Sequence, residues 1–296
     1  MAGHGNTAGK LNRISSDNGT EQTMDKVKIA AVQLNSQPDT DQSLEQAYGW
    51  VKQAADSGAV FISLPENFAF LGDEKQKLEQ AAEISGKVEK ALPDWSREFG
   101  ATILGGGYPV PAGKGKVFNR AVVVDPNGDF VASYDKIHLF DVDLSDEETW
   151  RESETVEAGK AEAVVYKPDN EQMPATGLTI CYDIRFPELY RRLVIQGADL
   201  IAVPSAFTRP TGEAHWEVLL RARAIENSCY VMAPAQCGLH GTHRKTWGHS
   251  MIIDPWGEVL AVLDSNDKPG FVTAEFDRGA LDEVRKRLPS LRHRVL

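Results

Sequence analysis

Three short segments carry side chains of complementary chemistry: LPENF around Glu66, YDKIHLF around Lys136 and GLTICYDIRFPE around Cys181. Each lies at the end of an apolar run that reads as a strand, and in open α/β folds reacting groups gather at the carboxyl ends of strands. A thiol needs a base to become a nucleophile, and a carboxylate in a poorly solvated place supplies one. A tetrahedral intermediate needs a cation or amide donors for its oxyanion. Lys136 and the backbone N–H of Tyr182, the residue after the cysteine, can provide both. Each residue alone has a plainer reading: Cys181 as a small buried hydrophobe, Glu66 as a solvated acid, Lys136 as a surface cation. It is the combination of acid, cation and thiol that points to acyl transfer.

The elements that must position these groups alternate. VKIAAVQL (27–34) is an apolar strand, and Leu44, Ala47, Tyr48, Val51, Ala54 and Ala55 follow at helical spacing until Gly58. AVFISLPE (59–66) is a second strand; the helical region after it is expected to break near Pro93 and to stop at Gly100. ATILGGGYPV (101–110) is a third strand, and 120–136 folds as a hairpin about Pro126-Asn127-Gly128. Segments 162–168 and 175–181 read as a strand pair. A helix (187–196), a strand (199–207), a helix (213–227) and a strand (229–237) come next. A hairpin about Pro255-Trp256-Gly257, a strand near 270–276 and a basic helix near 278–288 complete the pattern. The near-continuous apolar strands fit sheets covered on both faces, so the class is α/β, with one domain over residues 25–296. Residues 1–24, rich in Gly, Asn, Ser and Thr, read as a disordered tail without the apolar centre of a secretory signal.

Composition removes several classes of function. A formal net charge of -11 argues against nucleic acid as the main partner. No apolar run approaches bilayer length, so no membrane partner is expected. Three scattered cysteines are too few for a disulfide framework and point to a reducing, cytoplasmic setting.

The three motifs together, in the order Glu66, Lys136, Cys181 and with this spacing, resemble the nitrilase superfamily of carbon–nitrogen hydrolases over roughly residues 27–290. Glu152, in TWRESETVEAG, matches that family's additional glutamate. The resemblance implies a four-layer α-β-β-α sandwich that pairs as a homodimer. It implies Cys181 as a nucleophile raised on an elbow, and Glu66 as the base that takes the thiol proton, protonates the departing amine and then activates water. Lys136 and the Tyr182 N–H would hold the oxyanion, and Glu152 would orient Lys136 and the incoming amide. No metal and no organic cofactor enters that scheme.

The resemblance also bears on the substrate. Arg185 would clamp a carboxylate of an α-keto acid amide, joined by Thr211, with Phe207 lining the pocket; the plainer reading pairs Arg185 with Asp183 or Glu188. The segments SAFTRPTGEAHWE and AQCGLH are similar to the branch acting on deaminated glutathione, which would release α-ketoglutarate and cysteinylglycine. The partner expected is therefore a small amide bearing a carboxylate. Rivals are an omega-amidase acting on α-ketoglutaramate or α-ketosuccinamate, another small-amide hydrolase, a scaffold that lost activity, and a thiol redox sensor using Cys181. Arg209 and Pro210 depart from the branch pattern and would alter the entrance, and His215 reads as a hydrogen-bonding residue beside the site.

Two other stretches carry residue types that could do chemistry. CGLHGTHRKTWGH (237–249) offers Cys237, His240, His243 and His249, but at no standard zinc spacing, and reads as a loop at the pocket mouth. GGGYPVPAGKGK (105–116) lacks the spacing and the Ser/Thr of a phosphate loop. Cys229 opens an apolar strand and reads as core.

Overall fold

A computed structural model of the chain describes residues 26–144 and 149–295; the expected tail at 1–24 lies outside the described residues. Strand β1 (Val27–Gln33) leads into helix α1 (Thr40–Asp56), whose start is fixed by the Asp39 carboxylate accepting the Gln42 N–H at 3.0 Å. β2 (Phe61–Ser63) and α2 (Glu74–Phe99) follow, and Gly100 ends α2 in the left-handed conformation at φ 60°. α2 runs unbroken through Pro93, against the expected break. Leu92, Pro93 and Trp95 are buried there, and their packing holds the turn although the proline removes one backbone donor. Next come β3 (Thr102–Gly113), β4 (Lys116–Val124) and β5 (Phe130–Asp135), then β6 (Asp141–Asp143), β7 (Thr149–Arg151), β8 (Val165–Tyr166) and β9 (Thr176–Leu178). The rest of the chain is α3 (Pro187–Ile195), β10 (Leu200–Ala202), α4 (Arg209–Asn227), β11 (Tyr230–Ala233), β12 (Cys237–His240), β13 (Arg244–Trp247), β14 (Met251–Ile253), β15 (Val259–Val262), β16 (Gly270–Phe276) and α5 (Arg278–Arg287).

The strands form two six-stranded sheets, ordered β16-β1-β2-β3-β4-β5 and β15-β14-β11-β10-β9-β8. Each has a parallel centre, β1-β2-β3 in one and β9-β10-β11 in the other, flanked by antiparallel strands. Alternation along each strand divides the side chains between two cores. Ala30, Val32, Ile62 and Ile103 face Val51, Ile84, Val88 and Leu92 of α1 and α2. Ile29, Ala31, Phe61 and Leu104 pack in one cluster with Leu178, Leu200, Met232 and Ile252 of the other sheet. α3 and α4 cover that sheet's far side, with Leu193 seated against Gly177. The result is an α-β-β-α sandwich.

The glycine run of β3 lies in close contact with its neighbours. A Cβ at Gly106 would collide with the Leu64 carbonyl oxygen and lie 2.5 Å from Pro204 Cβ. The GGG sequence thus permits a close approach rather than cradling a phosphate. The 237–249 stretch, expected as a loop, is the antiparallel hairpin β12–β13, and a second small hairpin, β6–β7, lies in a region with no strand expectation. Among the described residues no helix is long and apolar enough to cross a membrane.

Candidate active site

Glu66, Lys136 and Cys181 each sit just past a strand of the sandwich. Glu66 lies in the turn after β2, where the Asn67 N–H donates to the Gly107 carbonyl at 2.8 Å. Lys136 directly follows β5, with its N–H bonded to the Asn119 carbonyl at 2.9 Å. β9 stops at Leu178, short of the expected strand end, so Cys181 instead opens a 3-10 turn, Cys181–Arg185. Its φ of 48° is a left-handed conformation that costs a non-glycine residue energy, and its N–H is tied to the Pro204 carbonyl at 2.9 Å. This is an elbow: strained backbone that raises the thiol out of the sheet. The N–H of Tyr182, next in the turn, has no acceptor among the described residues.

Lys136 lies at the centre of the polar cluster. Its Nζ donates to Glu66 Oε1 at 2.9 Å and to Glu152 at 2.9 and 3.0 Å, and the Lys136 and Glu66 side chains are only 2% and 3% exposed. Glu66 accepts two further bonds at 2.9 Å, from Asn119 Nδ2 and from the Ala206 N–H. Glu152 Oε2 accepts the Phe140 N–H at 2.7 Å. Burial would push the Glu66 carboxyl up, but the Lys136 ammonium, with help from Arg244 and the Cys181 thiol, holds it below the usual carboxylate range. Burial opposes the charge on Lys136 as well; the Glu152 and Glu66 carboxylates outweigh it and raise this lysine well above its ordinary value. Burial and then the Glu66 carboxylate push the Cys181 thiol up. These directions favour a neutral thiol beside an ionised carboxylate that a lysine neutralises. Such a set can deprotonate the thiol in concert with attack on a carbonyl, because the developing oxyanion replaces the charge that moves to the sulfur.

The cavity above Cys181 is lined by all eight residues expected from the sequence: Glu66, Lys136, Glu152, Cys181, Tyr182, Arg185, Phe207 and Thr211. The Arg185 guanidinium stands 5.8 Å over the Tyr182 ring and 5.5 Å over the Phe207 ring, with His215 Nδ1 at 3.4 Å. Neither Asp183 nor Glu188 pairs with it, and among the described residues it has no carboxylate partner. Asp183 is taken up elsewhere: buried, it accepts from Tyr134 Oη and His138 Nδ1, both at 2.7 Å, and from the Ile180 N–H at 2.8 Å. It thereby ties the elbow to the segment that carries Lys136. Thr211 is buried and shares a 2.8 Å hydroxyl contact with Thr208. Arg209 and Pro210 open α4 and are exposed on an adjoining groove rather than in this cavity.

Sequence reasoning missed Asn119, Asp183 and Arg244. Asn119 sits mid-strand in β4 with nothing in KVFNRAVVV to mark it as a partner of Glu66. Arg244 reaches the cavity only because β12–β13 folds back over it. The proposed ligand types of 237–249 do not converge. His240 is buried between Ser36 O and Thr246 Oγ1, His249 reaches Asp264 at 3.2 Å, and Cys237 is buried beside Leu34.

A family model described as carbon-nitrogen hydrolase matches residues 28–286. A protein of Synechocystis named deaminated glutathione amidase is 52% identical over 268 residues, covering 90% of this chain and 97% of that one. The crystal structure of the C. elegans NitFhit protein superimposes with a TM-score of 0.84 at 36% identity over 91% of this chain, which spans 65% of its length. A mutant of the amidase from Nesterenkonia sp. AN1, described as showing Michael addition of acrylamide at its active-site cysteine, matches with a TM-score of 0.73 at 26% identity, covering 89% of this chain and 98% of its own.

Proposed function

The chain belongs to the carbon–nitrogen hydrolase family, and we propose that it is an amidase cleaving the γ-amide bond of deaminated glutathione to α-ketoglutarate and cysteinylglycine. The observation that carries this reading is the buried cluster in which Lys136 bridges Glu66 and Glu152 beside the strained Cys181, with Arg185 on the cavity wall. Its likeness to relatives named for that activity supports the choice of substrate.

In the proposed course, Arg185 and Thr211 receive the α-keto acid carboxylate while Phe207 covers the carbon chain. The amide carbonyl oxygen enters between Lys136 Nζ and the Tyr182 N–H. Cys181 Sγ attacks the carbonyl carbon as its proton passes to Glu66, and the C–N bond breaks as Glu66 returns that proton to the leaving amine. Cysteinylglycine departs, leaving an α-ketoglutaryl thioester. Glu66 then takes a proton from water, which attacks the thioester and restores the thiol. Glu152 keeps Lys136 charged and aimed, and the backbone donors on Glu66 and Glu152 fix both acids at no cost at the moment of reaction.

The domain is taken as residues 25–296. Val218 and Ile225, two turns apart on α4, and Trp256 on the β14–β15 turn are exposed apolar side chains that favour a homodimer. Three free cysteines favour a reducing, cytoplasmic setting. Competing turnover of deaminated glutathione and α-ketoglutaramate tests the substrate. A clear preference for the larger amide is expected, and a preference for α-ketoglutaramate would make the chain an omega-amidase instead.

A further inference from the structure

Of the cations lining the cavity, Lys77, Lys136 and Arg151 are paired with Glu74, Glu66 and Asp143, but Arg244, like Arg185, has no such partner among the described residues. Arg244 opens β13 opposite His240, lines the same cavity as Cys181, and also lines the adjoining groove with Trp150, Arg209 and Lys245. Its guanidinium stacks 4.9 Å over the Trp150 ring, yet its Nε is buried with no hydrogen-bond acceptor. Among the described residues no carboxylate lies within ion-pair distance of it. A half-buried guanidinium that lines a cavity and keeps an unmet donor is able to receive an anion there. The hairpin that carries it is pinned: His240 bonds Ser36 O and Thr246 Oγ1, both at 2.7 Å.

We propose that Arg244 is a specificity-determining residue that receives the carboxylate at the leaving-group end of the substrate, across the scissile amide from Arg185. This rests on the reading above that the amide is that of deaminated glutathione. Its leaving half is a dipeptide, so its terminal carboxylate lies up to ~7 Å beyond the scissile bond, when extended. The cavity and the adjoining groove share Glu74, Trp150 and Arg244 in their walls, so the Arg244 side is where a dipeptide would extend. A small amide that releases only ammonia has no group for this arginine. Arg244 would thus select long amides with an anionic tail.

The test compares deaminated glutathione with the same compound carrying a primary amide in place of its glycyl carboxylate, both read as α-ketoglutarate release. The wild type should favour the acid in kcat/KM on the order of tenfold to a hundredfold, mainly through KM. In Arg244→Gln this preference should collapse to within about twofold, with partial return in Arg244→Lys. Arg185→Gln should lose activity on both compounds and keep the preference. An acid preference that persists in Arg244→Gln, equal slowing of both compounds, or a wild type indifferent to the change would overturn the assignment while leaving the substrate reading standing. Release of α-ketoglutarate from neither compound would overturn both.

Discussion

The Glu66 carboxylate and the Lys136 ammonium meet at 2.9 Å with both side chains almost wholly withdrawn from solvent. Removing one member of a buried pair strands the other, at about 3–5 kcal/mol. Lys136→Met strands two acids, Glu66 and Glu152, at once. It should therefore destabilise the fold more than Glu152→Gln, which leaves Lys136 paired with Glu66, while both lower kcat. Urea unfolding of the two variants checks the order; equal midpoints would contradict it.

The Asp183 knot makes a separate prediction. Tyr134 donates to Asp183 at 2.7 Å, and Asp183 in turn accepts the Ile180 N–H that precedes the elbow. Tyr134→Phe leaves a buried carboxylate one donor short, which should cost about 1.5–3 kcal/mol of stability. Because Tyr134 touches no substrate position, the loss in activity should fall on kcat, through the aim of Cys181, with KM little changed. A rise in KM alone would argue against this positioning role.

The glycine run predicts a steric failure. At Gly106 any side chain would meet the Leu64 carbonyl and Pro204 from the facing sheet. Gly106→Ala should lose several kcal/mol or fail to fold, whereas Gly86→Ala on α2, with open space around it, should be neutral or slightly stabilising. Thermal melts of the two variants give the comparison, and a stable Gly106→Ala protein would refute the close approach.

Acid should weaken the fold through His240. Burial holds this imidazole down to about 4, and the nearby Arg244 guanidinium adds to that, against the opposing pull of the Ser36 carbonyl that accepts its Nδ1–H. Between that value and the ordinary pKa near 6.5 the unfolded chain binds the proton and the folded chain does not. Stability is therefore complete above about pH 6.5 and falls as pH drops, by roughly 3 kcal/mol near pH 4. The slope of unfolding free energy against pH over that window should flatten in His240→Gln. An unchanged slope would assign the acid sensitivity to other groups.

Much of the site was legible in the sequence because its groups stand at strand ends, where a strand pattern that stops marks a position in space. Glu66, Lys136 and Cys181 stand out in this way, Glu152 by family likeness alone, and all four line one cavity. The thiol's elbow is implied by the family likeness of CYDIRFPE rather than by its residues alone, and the proline at the start of α3 marks where the turn gives way to helix. Asn119 and Arg244 were not legible, because their roles arise from contacts between elements far apart in the chain. The Pro93 expectation failed for a related reason. A local rule against proline in a helix was outweighed by tertiary burial of its neighbours. Hairpin β12–β13 lacks strand alternation and gains its form from bonds to the segment after β1, with His240 Nδ1 on Ser36 O and Asn35 Nδ2 donating to Cys237 O.

The central claim is that Cys181 carries the acyl group. The measurement that tests it most directly is intact-protein and peptide mass spectrometry of the enzyme acid-quenched during turnover of deaminated glutathione, with product release followed in Cys181→Ala. The account predicts an α-ketoglutaryl adduct located on Cys181 in the wild type, and neither adduct nor products in the variant. Release of α-ketoglutarate and cysteinylglycine by Cys181→Ala at the wild-type rate would contradict it.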